Sequence, residues 1–140
     1  MTAPTILMLE DDAERLERFW AVTDRLGVEL LTWADARKMI VALPAHLASA
    51  ALISLDHDLV PIHDIEPGDG LDVAKHLATF PPACPVIVHT SNGLRGDAMV
   101  GELELAGWAH HRVSPLGDDW IEADWFRVVK RLLRKRSRPE

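Results

Sequence analysis

The sequence has few of the features that mark secreted or membrane proteins. Its 140 residues include one cysteine, Cys84, so an internal disulfide is excluded and a cysteine-based zinc site has no support. No apolar stretch approaches the roughly 18 to 20 residues of a membrane span, and the N-terminus lacks a basic region followed by an apolar one. We therefore expect a cytoplasmic protein with no membrane partner.

Positive charge is scarce except at the C-terminal end. The net charge is −7, yet residues 127–138 hold seven basic side chains and no acidic one, so the rest of the chain carries −14. This basic segment, from Arg127 to Arg138, could contact nucleic acid or a phosphorylated protein surface. Cations at a helix C-terminus also complement the helix dipole, which explains the same pattern without any partner.

Apolar residues are plentiful, and three short apolar runs end abruptly in polar residues. Such runs are typical of buried parallel strands, whose carboxyl ends meet at one edge of a sheet and form ligand sites there. The runs are 6–9 followed by Glu10, Asp11 and Asp12, 52–55 followed by Asp56, His57 and Asp58, and 86–88 followed by His89, Thr90, Ser91 and Asn92. The sequence thus predicts one acidic site with two histidines and hydroxyl groups nearby.

Strand and helix patterns alternate along the whole chain, and 48% hydrophobic residues suffice for one domain over residues 1–140. Pro44 is expected to interrupt or end the second helix. The predicted fold is α/β, a three-layer α/β/α sandwich around a five-stranded parallel sheet of flavodoxin-like order 2-1-3-4-5. Strands are predicted at 5–9, 28–32, 52–55, 85–89 and 108–113, and helices at 12–26, 35–50, 71–80, 95–106 and 119–136.

These residues resemble the receiver domain of bacterial response regulators over nearly the whole chain. The resemblance is carried by the acids after the first strand, by Asp56 after the third, and by Thr90-Ser91 after the fourth. It implies that Glu10 and Asp11 bind Mg²⁺, that Asp56 accepts a phosphoryl group, and that Thr90 senses that group.

The sequence departs from ordinary receivers in ways that favour a different activity. In receivers a lysine precedes a proline after the fifth strand, but this position is Ser114, so a cation that pairs with phosphoryl oxygens is missing. A divergent receiver branch proposed to process cyclic phosphates is similar to this chain in a larger set of residues. The set comprises 55–59, Gly70-Leu71-Asp72, and His89 to Asn92 followed by Gly96 and Met99.

The acidic residues predict a divalent cation. Neighbouring carboxylates raise one another's pKa, and a hard, oxygen-ligated ion such as Mg²⁺, or Mn²⁺, relieves their repulsion. Asp12 either adds a ligand or caps the first helix. A softer ion, Mn²⁺ or Zn²⁺, would instead use histidines, namely His57, His63 and His89. The predicted ligands of the hard ion are Glu10, Asp11, Asp56 and Asp58.

The two histidines beside the acids suit proton transfer near neutral pH. Asp56, His57 and His89 are therefore the predicted catalytic residues for opening a cyclic phosphate. One histidine would activate water and the other would protonate the leaving oxygen, or Asp56 would attack phosphorus directly. Because neighbouring strand residues alternate between faces, a histidine that points away from the site is the alternative.

The segment after the fourth strand is predicted to hold phosphate. Thr90, Ser91 and Asn92 precede a helix whose N-terminus favours anions, although turn formation alone explains the Asn92-Gly93 pair. The loop from Val60 to Asp69 is either a lid over the site or an insertion without a role.

Two function classes follow from these residues. The first is a metal-dependent phosphohydrolase that acts on cyclic phosphates, such as RNA ends with a 2′,3′-cyclic phosphate or small nucleotides. The second is an atypical response-regulator receiver, phosphorylated on Asp56, that signals by binding a protein. A silent scaffold with neither metal binding nor turnover is a further alternative.

Overall fold

One parallel sheet lies at the centre of the computed structural model, which describes residues 3–137. Its strand order is β2-β1-β3-β4-β5, which confirms the predicted order 2-1-3-4-5. Strands β1 and β3 are buried along their full length because helices cover both faces of the sheet. The strands are β1 (Thr5–Leu9), β2 (Glu29–Trp33), β3 (Ala50–Leu55), β4 (Val86–Val88) and β5 (His110–Arg112).

Five α-helices form the two outer layers of the predicted sandwich. One apolar cluster packs α2, α3 and α4 on one face of the sheet, and a second packs α1 and α5 on the other. The helices are α1 (Ala13–Leu26), α2 (Ala36–His46), α3 (Gly70–Leu77), α4 (Gly93–Leu105) and α5 (Phe126–Ser137). The carboxyl ends of β1 and β3 therefore lie side by side between the two layers, at the edge where polar residues follow each strand.

The element boundaries differ from the predicted ones in a few places. Helix α2 contains Pro44 in its last turn and ends at His46, followed by a 3₁₀ turn over Leu47–Ser49. Pro44 removes the backbone bond to the carbonyl of Ile40 and crowds that carbonyl, and the helix continues for only two residues beyond it. A π-helical turn over Ile121–Trp125 precedes α5 and was not predicted, because hydrophobic spacing does not separate a π turn from an α turn.

The basic segment lies on α5, apart from Arg138, which falls outside the described residues. No helix within residues 3–137 is both long and apolar enough to cross a bilayer.

Candidate functional site

Three carboxylates converge where β1 and β3 end. Glu10 and Asp11 follow β1, Asp56 follows β3, and the backbone N–H of Asp56 donates to the carbonyl of Leu9, 3.0 Å away. One carboxylate oxygen from each of the three residues lies within 4.8 Å of the others. Oxygen donors at this spacing suit a hard divalent ion such as Mg²⁺.

Glu10 is fully buried and its carboxylate is held from several sides. Its Oε2 accepts hydrogen bonds from the backbone N–H groups of Asp11 (3.0 Å) and Asp12 (3.1 Å). Its Oε1 lies 3.2 Å from His89 Nε2. Burial raises the pKa of Glu10, but the hydrogen bonds from His89 and Asp12 and the charge of Arg15 outweigh it and leave the pKa lowered. Glu10 is therefore a fixed negative charge at the centre of the site.

His89 belongs to a buried chain of hydrogen bonds that runs from the π turn before α5 to Glu10. The Trp125 indole N–H donates to Ser54 Oγ (3.0 Å), and Ser54 Oγ lies 2.6 Å from His89 Nδ1. The Ser54 hydroxyl can accept from Nδ1–H of a charged ring or donate to Nδ1 of a neutral one, and in both cases Nε2–H faces Glu10. The His89 ring is fully buried and packs against Phe19. His89 thus orients Glu10 and has no surface for a substrate.

Asp56 is the carboxylate whose ionisation is least favoured. Its residue is 6% exposed, and its Oδ1 accepts a hydrogen bond from the backbone N–H of His57 at 2.8 Å. Burial, together with the nearby Glu10 charge, raises the pKa of Asp56 to about 6, in spite of the opposing charges of His89 and Arg15. A bound cation would remove much of this cost.

His57 lies beside Asp56 between two other acids. Its Nδ1 is 2.8 Å from Asp58 Oδ1, and its Nε2 is 3.4 Å from Asp69 Oδ2. The His57 side chain is 7% exposed, and its Nε2 is buried without a hydrogen-bond partner. The Asp58 carboxylate therefore orients the ring from its Nδ1 side, and Nε2 faces the Asp69 carboxylate.

Asp58 is not part of the carboxylate group, contrary to its prediction as a metal ligand. Its side chain is 65% exposed and is engaged by His57 and by the amide of Asn92, whose Nδ2 is 3.4 Å from Asp58 Oδ2. Among the described residues, His57, His63 and His89 do not gather into a metal-binding group either. The histidine-rich alternative therefore has no support from the structure.

The predicted phosphate-side residues lie at the start of α4. Thr90 is buried, and its Oγ1 accepts a hydrogen bond from the Asn92 backbone N–H at 3.1 Å. Asn92 caps α4 by accepting from the Arg95 N–H, also at 3.1 Å. Ser91 is exposed. Thr90 thus shapes the turn, whereas Ser91 and Asn92 present side chains at the rim of the site.

Gly70 and Gly96, which belong to the set of residues shared with the cyclic-phosphate branch, allow close packing around the site. A Cβ on Gly70 would overlap the Asp56 carbonyl oxygen, and the Gly70 N–H donates to the His57 carbonyl at 3.0 Å. A Cβ on Gly96 would lie 2.7 Å from the guanidinium of Arg112, which also pairs with Asp97. Gly70 therefore lets α3 begin directly against the backbone that carries Asp56 and His57.

The loop after β3 contacts the site and also borders a separate cavity. The Val60 N–H donates to Asp11 Oδ2, which ties the loop to the carboxylates. The exposed side chains of Val60, Ile62 and Ile65 form, with the start of α2, a cavity of about 320 Å³. Whether this loop acts as a lid stays a prediction.

Sequence reasoning missed one charged residue of the site, Arg15. Its Nη1 lies 3.5 Å from Glu10 Oε1 and 3.7 Å from Asp56 Oδ2. A signal was present, because Arg15 follows the helix cap Asp12 by three residues and helical side chains lean toward the helix N-terminus. That direction brings the Arg15 side chain back over the ends of β1 and β3.

Comparison with known proteins agrees with the fold. No curated protein sequence matches the chain. Similar solved structures include the receiver domain of an HD domain-containing protein from Pseudomonas fluorescens Pf-5, with TM-score 0.71, 17% identity, and coverage of 96% of this chain and 97% of that one. A two-component response regulator from Clostridium difficile has TM-score 0.70, 16% identity, and coverage of 96% and 99%.

A CheX–CheY complex with BeF₃ and Mg²⁺ from Borrelia burgdorferi matches with TM-score 0.68, 14% identity, and coverage of 97% of this chain and 90% of that one. At these identities the structures show the shared fold alone. The family is given by the sequence, because residues 5–105 match the model of the cyclic-phosphate processing receiver domain. The chain therefore belongs to the cyclic-phosphate processing receiver family.

Proposed function

We propose that this receiver-family domain hydrolyses a cyclic phosphate at the carboxyl edge of β1 and β3, with a divalent ion held by Glu10, Asp11 and Asp56. One observation carries the proposal. One carboxylate oxygen from each of Glu10, Asp11 and Asp56 lies within 4.8 Å of the others, a spacing that suits a hard ion, and the backbone N–H of His57 donates to Asp56 Oδ1. When bound, Mg²⁺ or Mn²⁺ would supply positive charge to the nonbridging phosphate oxygens.

His57 is the proton acceptor in this proposal. Asp58 accepts from Nδ1–H and holds the ring, and Nε2, which lies 3.4 Å from Asp69 Oδ2, would take a proton from an attacking water once the Asp69 side chain turns aside and water reaches it. The water oxygen forms the new bond to phosphorus, and the bond from phosphorus to one ring oxygen breaks. The released oxygen recovers a proton from solvent, since Asp58 marks a side of the site that is open to water.

His89 and Glu10 have supporting roles in the same proposal. His89 is fully buried and donates to Glu10, so it positions a ligand and does not touch the substrate. Ser91 and Asn92 would donate hydrogen bonds to phosphate oxygens from the start of α4.

An RNA end is one substrate that the basic surface of α5 would favour. The surface comprises Arg127, Lys130, Arg131, Arg134, Lys135 and Arg136. Two of its residues, Lys135 and Arg136, line a cavity with Ala51 and Pro85 at the amino ends of β3 and β4, so RNA on this surface would be bound away from its reacting end. Neutralisation of RNA phosphates by such a surface would make binding dependent on salt.

The test is a phosphorus NMR time course with Mg²⁺ and a mixture of 2′,3′-cyclic and 3′,5′-cyclic nucleotides. We expect one cyclic resonance to convert to a single monoester, and His57→Gln to slow the conversion about 100-fold or more. His110→Gln is the matched control, because His110 lies at the opposite end of the sheet, at the start of β5. Full activity in His57→Gln would refute the role of this histidine.

A signalling receiver is the second candidate. The fold similarity includes a CheY in complex with its protein partner CheX, BeF₃ and Mg²⁺. If this chain signals in that way, beryllofluoride with Mg²⁺ would change the amide NMR spectrum of α4 and β5 and cyclic phosphates would persist. Hydrolysis without that spectral change would favour the enzyme.

A further inference from the structure

We propose that Arg15 is the anion-binding residue of this site and holds the nonbridging oxygens of the substrate phosphate, an inference that rests on the proposed function. The first observation is how loosely Arg15 is held. Its Nη1 lies 3.5 Å from Glu10 Oε1 and 3.7 Å from Asp56 Oδ2, beyond the usual range for N–H···O hydrogen bonds. Charge attraction therefore holds the guanidinium without fixing its donors.

Arg18, one turn further along α1, is by contrast an arginine whose donors make short hydrogen bonds within the protein. Its Nε and Nη2 lie 2.8 and 2.7 Å from the two Glu122 carboxylate oxygens, and Nη2 also donates to the Asp118 carbonyl at 2.7 Å. Those short bonds tie α1 to the segment before α5. The donors of Arg15 have no such commitment to Glu10 or Asp56, so they are available to a ligand.

The surroundings of Arg15 aim it at the carboxylate group and leave it accessible. Arg15 is in the first turn of α1, where its backbone N–H donates to the cap Asp12 at 2.9 Å. Its guanidinium carbon lies 5.2 Å from the centre of the buried Trp120 ring, a cation–π distance. The side chain remains 27% exposed. Trp120 thus supports one face of the guanidinium while its edge stays within reach of solvent.

The chemistry of guanidinium matches phosphate. Arginine stays charged at all physiological pH values and presents a planar set of donors that can bind two phosphate oxygens together. Two carboxylates now attract Arg15, and a divalent ion on those carboxylates would weaken that attraction. Arg15 would then turn its donors to an anion beside the ion, which predicts opposite effects of its removal on cation and anion binding.

The experiment measures both affinities by calorimetry, with Mg²⁺ alone and then with inorganic phosphate at saturating Mg²⁺. In Arg15→Gln we expect Mg²⁺ to bind about fivefold more tightly, because a competing charge is gone. We expect phosphate to bind about 10- to 100-fold more weakly, because a charged hydrogen-bond donor is lost. Arg15→Lys, which keeps a point charge without the fork of donors, should lie between wild type and Arg15→Gln for phosphate.

Arg25→Gln is the matched control, since it removes the same charge from the last turn of α1, away from the carboxylates and from Trp120, and both of its affinities should equal those of wild type. Equal phosphate binding in wild type and Arg15→Gln would overturn the role of Arg15 while leaving the hydrolase proposal intact. A wild-type protein that binds neither Mg²⁺ nor phosphate would overturn the proposed function and this inference together.

Discussion

Asp56 combines a position at the centre of the site with an unfavourable charge. Its carboxylate is buried against the ionised Glu10, and its pKa is raised from 3.8 to about 6. A folded-state pKa above the unfolded value means that the stabilisation is complete below about pH 4 and is lost as pH rises through 6. Above pH 6 the charge costs about 3 kcal/mol of folding free energy, for a shift of about two units.

Asp56→Asn should therefore stabilise the metal-free protein at pH 7.5 by about 2 kcal/mol, because the amide is neutral and can still accept from the His57 N–H. The gain should vanish at pH 4. Urea unfolding at the two pH values measures it, with Glu104→Gln on the exposed side of α4 as the control for loss of a negative charge. If Asp56→Asn is less stable than wild type at pH 7.5, the ionised Asp56 carboxylate does not destabilise the fold.

At the scale of elements, the start of α3 is set by its contact with the end of β3. Asp69 caps the helix by accepting a hydrogen bond from the Asp72 N–H, and Gly70 lies directly against the backbone carbonyl of Asp56. The helix is thereby coupled to the two residues, Asp56 and His57, on which the proposed chemistry depends. A side chain at Gly70 would push α3 away from the site.

Gly70→Ala should destabilise the fold by about 3 kcal/mol or more, because its Cβ overlaps the Asp56 carbonyl and lies 2.8 Å from Met99 Cε. The matched change is Gly101→Ala in the middle of α4, where nothing lies within 4 Å of the added Cβ. That variant should gain about 0.5 to 1 kcal/mol, since alanine favours helix over glycine. Thermal unfolding of the two variants compares these effects, and equal stabilities would contradict the close contact.

At the scale of the whole molecule, the sequence predicted the sheet order and the convergence of Glu10, Asp11 and Asp56. Both follow from chain order, since apolar strands of a parallel sheet deliver their next residues to the same edge. The directions in which the side chains point could not be predicted from the sequence. The inward turn of His89 toward Ser54 depends on Phe19 and Trp125, which arrive from α1 and from the π turn before α5.

The same limit explains Asp58 and Arg15. Asp58 has the residue type of a metal ligand, and only the position of His57 shows that its carboxylate is used to hold an imidazole. Arg15 reads as one of many charged residues on α1 until the helix is placed over the sheet edge. Contacts that cross between layers are set by packing geometry, which local spacing does not encode.

The site joins β1 to β3 at the middle of the sheet, so ion binding should stabilise the whole fold. The unfolded chain does not hold Glu10, Asp11 and Asp56 together, and an ion that binds only the folded state adds about 2.7 kcal/mol at 100 times its dissociation constant. We expect the melting temperature at pH 7.5 to rise with Mg²⁺ from 0 to about 20 mM, and to rise much less at pH 5, where Asp56 holds a proton.

Since the net charge of −7 makes general screening stabilising as well, NaCl at equal ionic strength is the control. A rise that NaCl reproduces, or that persists in Asp56→Asn, would mean that Mg²⁺ acts on the overall charge and that the three carboxylates do not form an ion site.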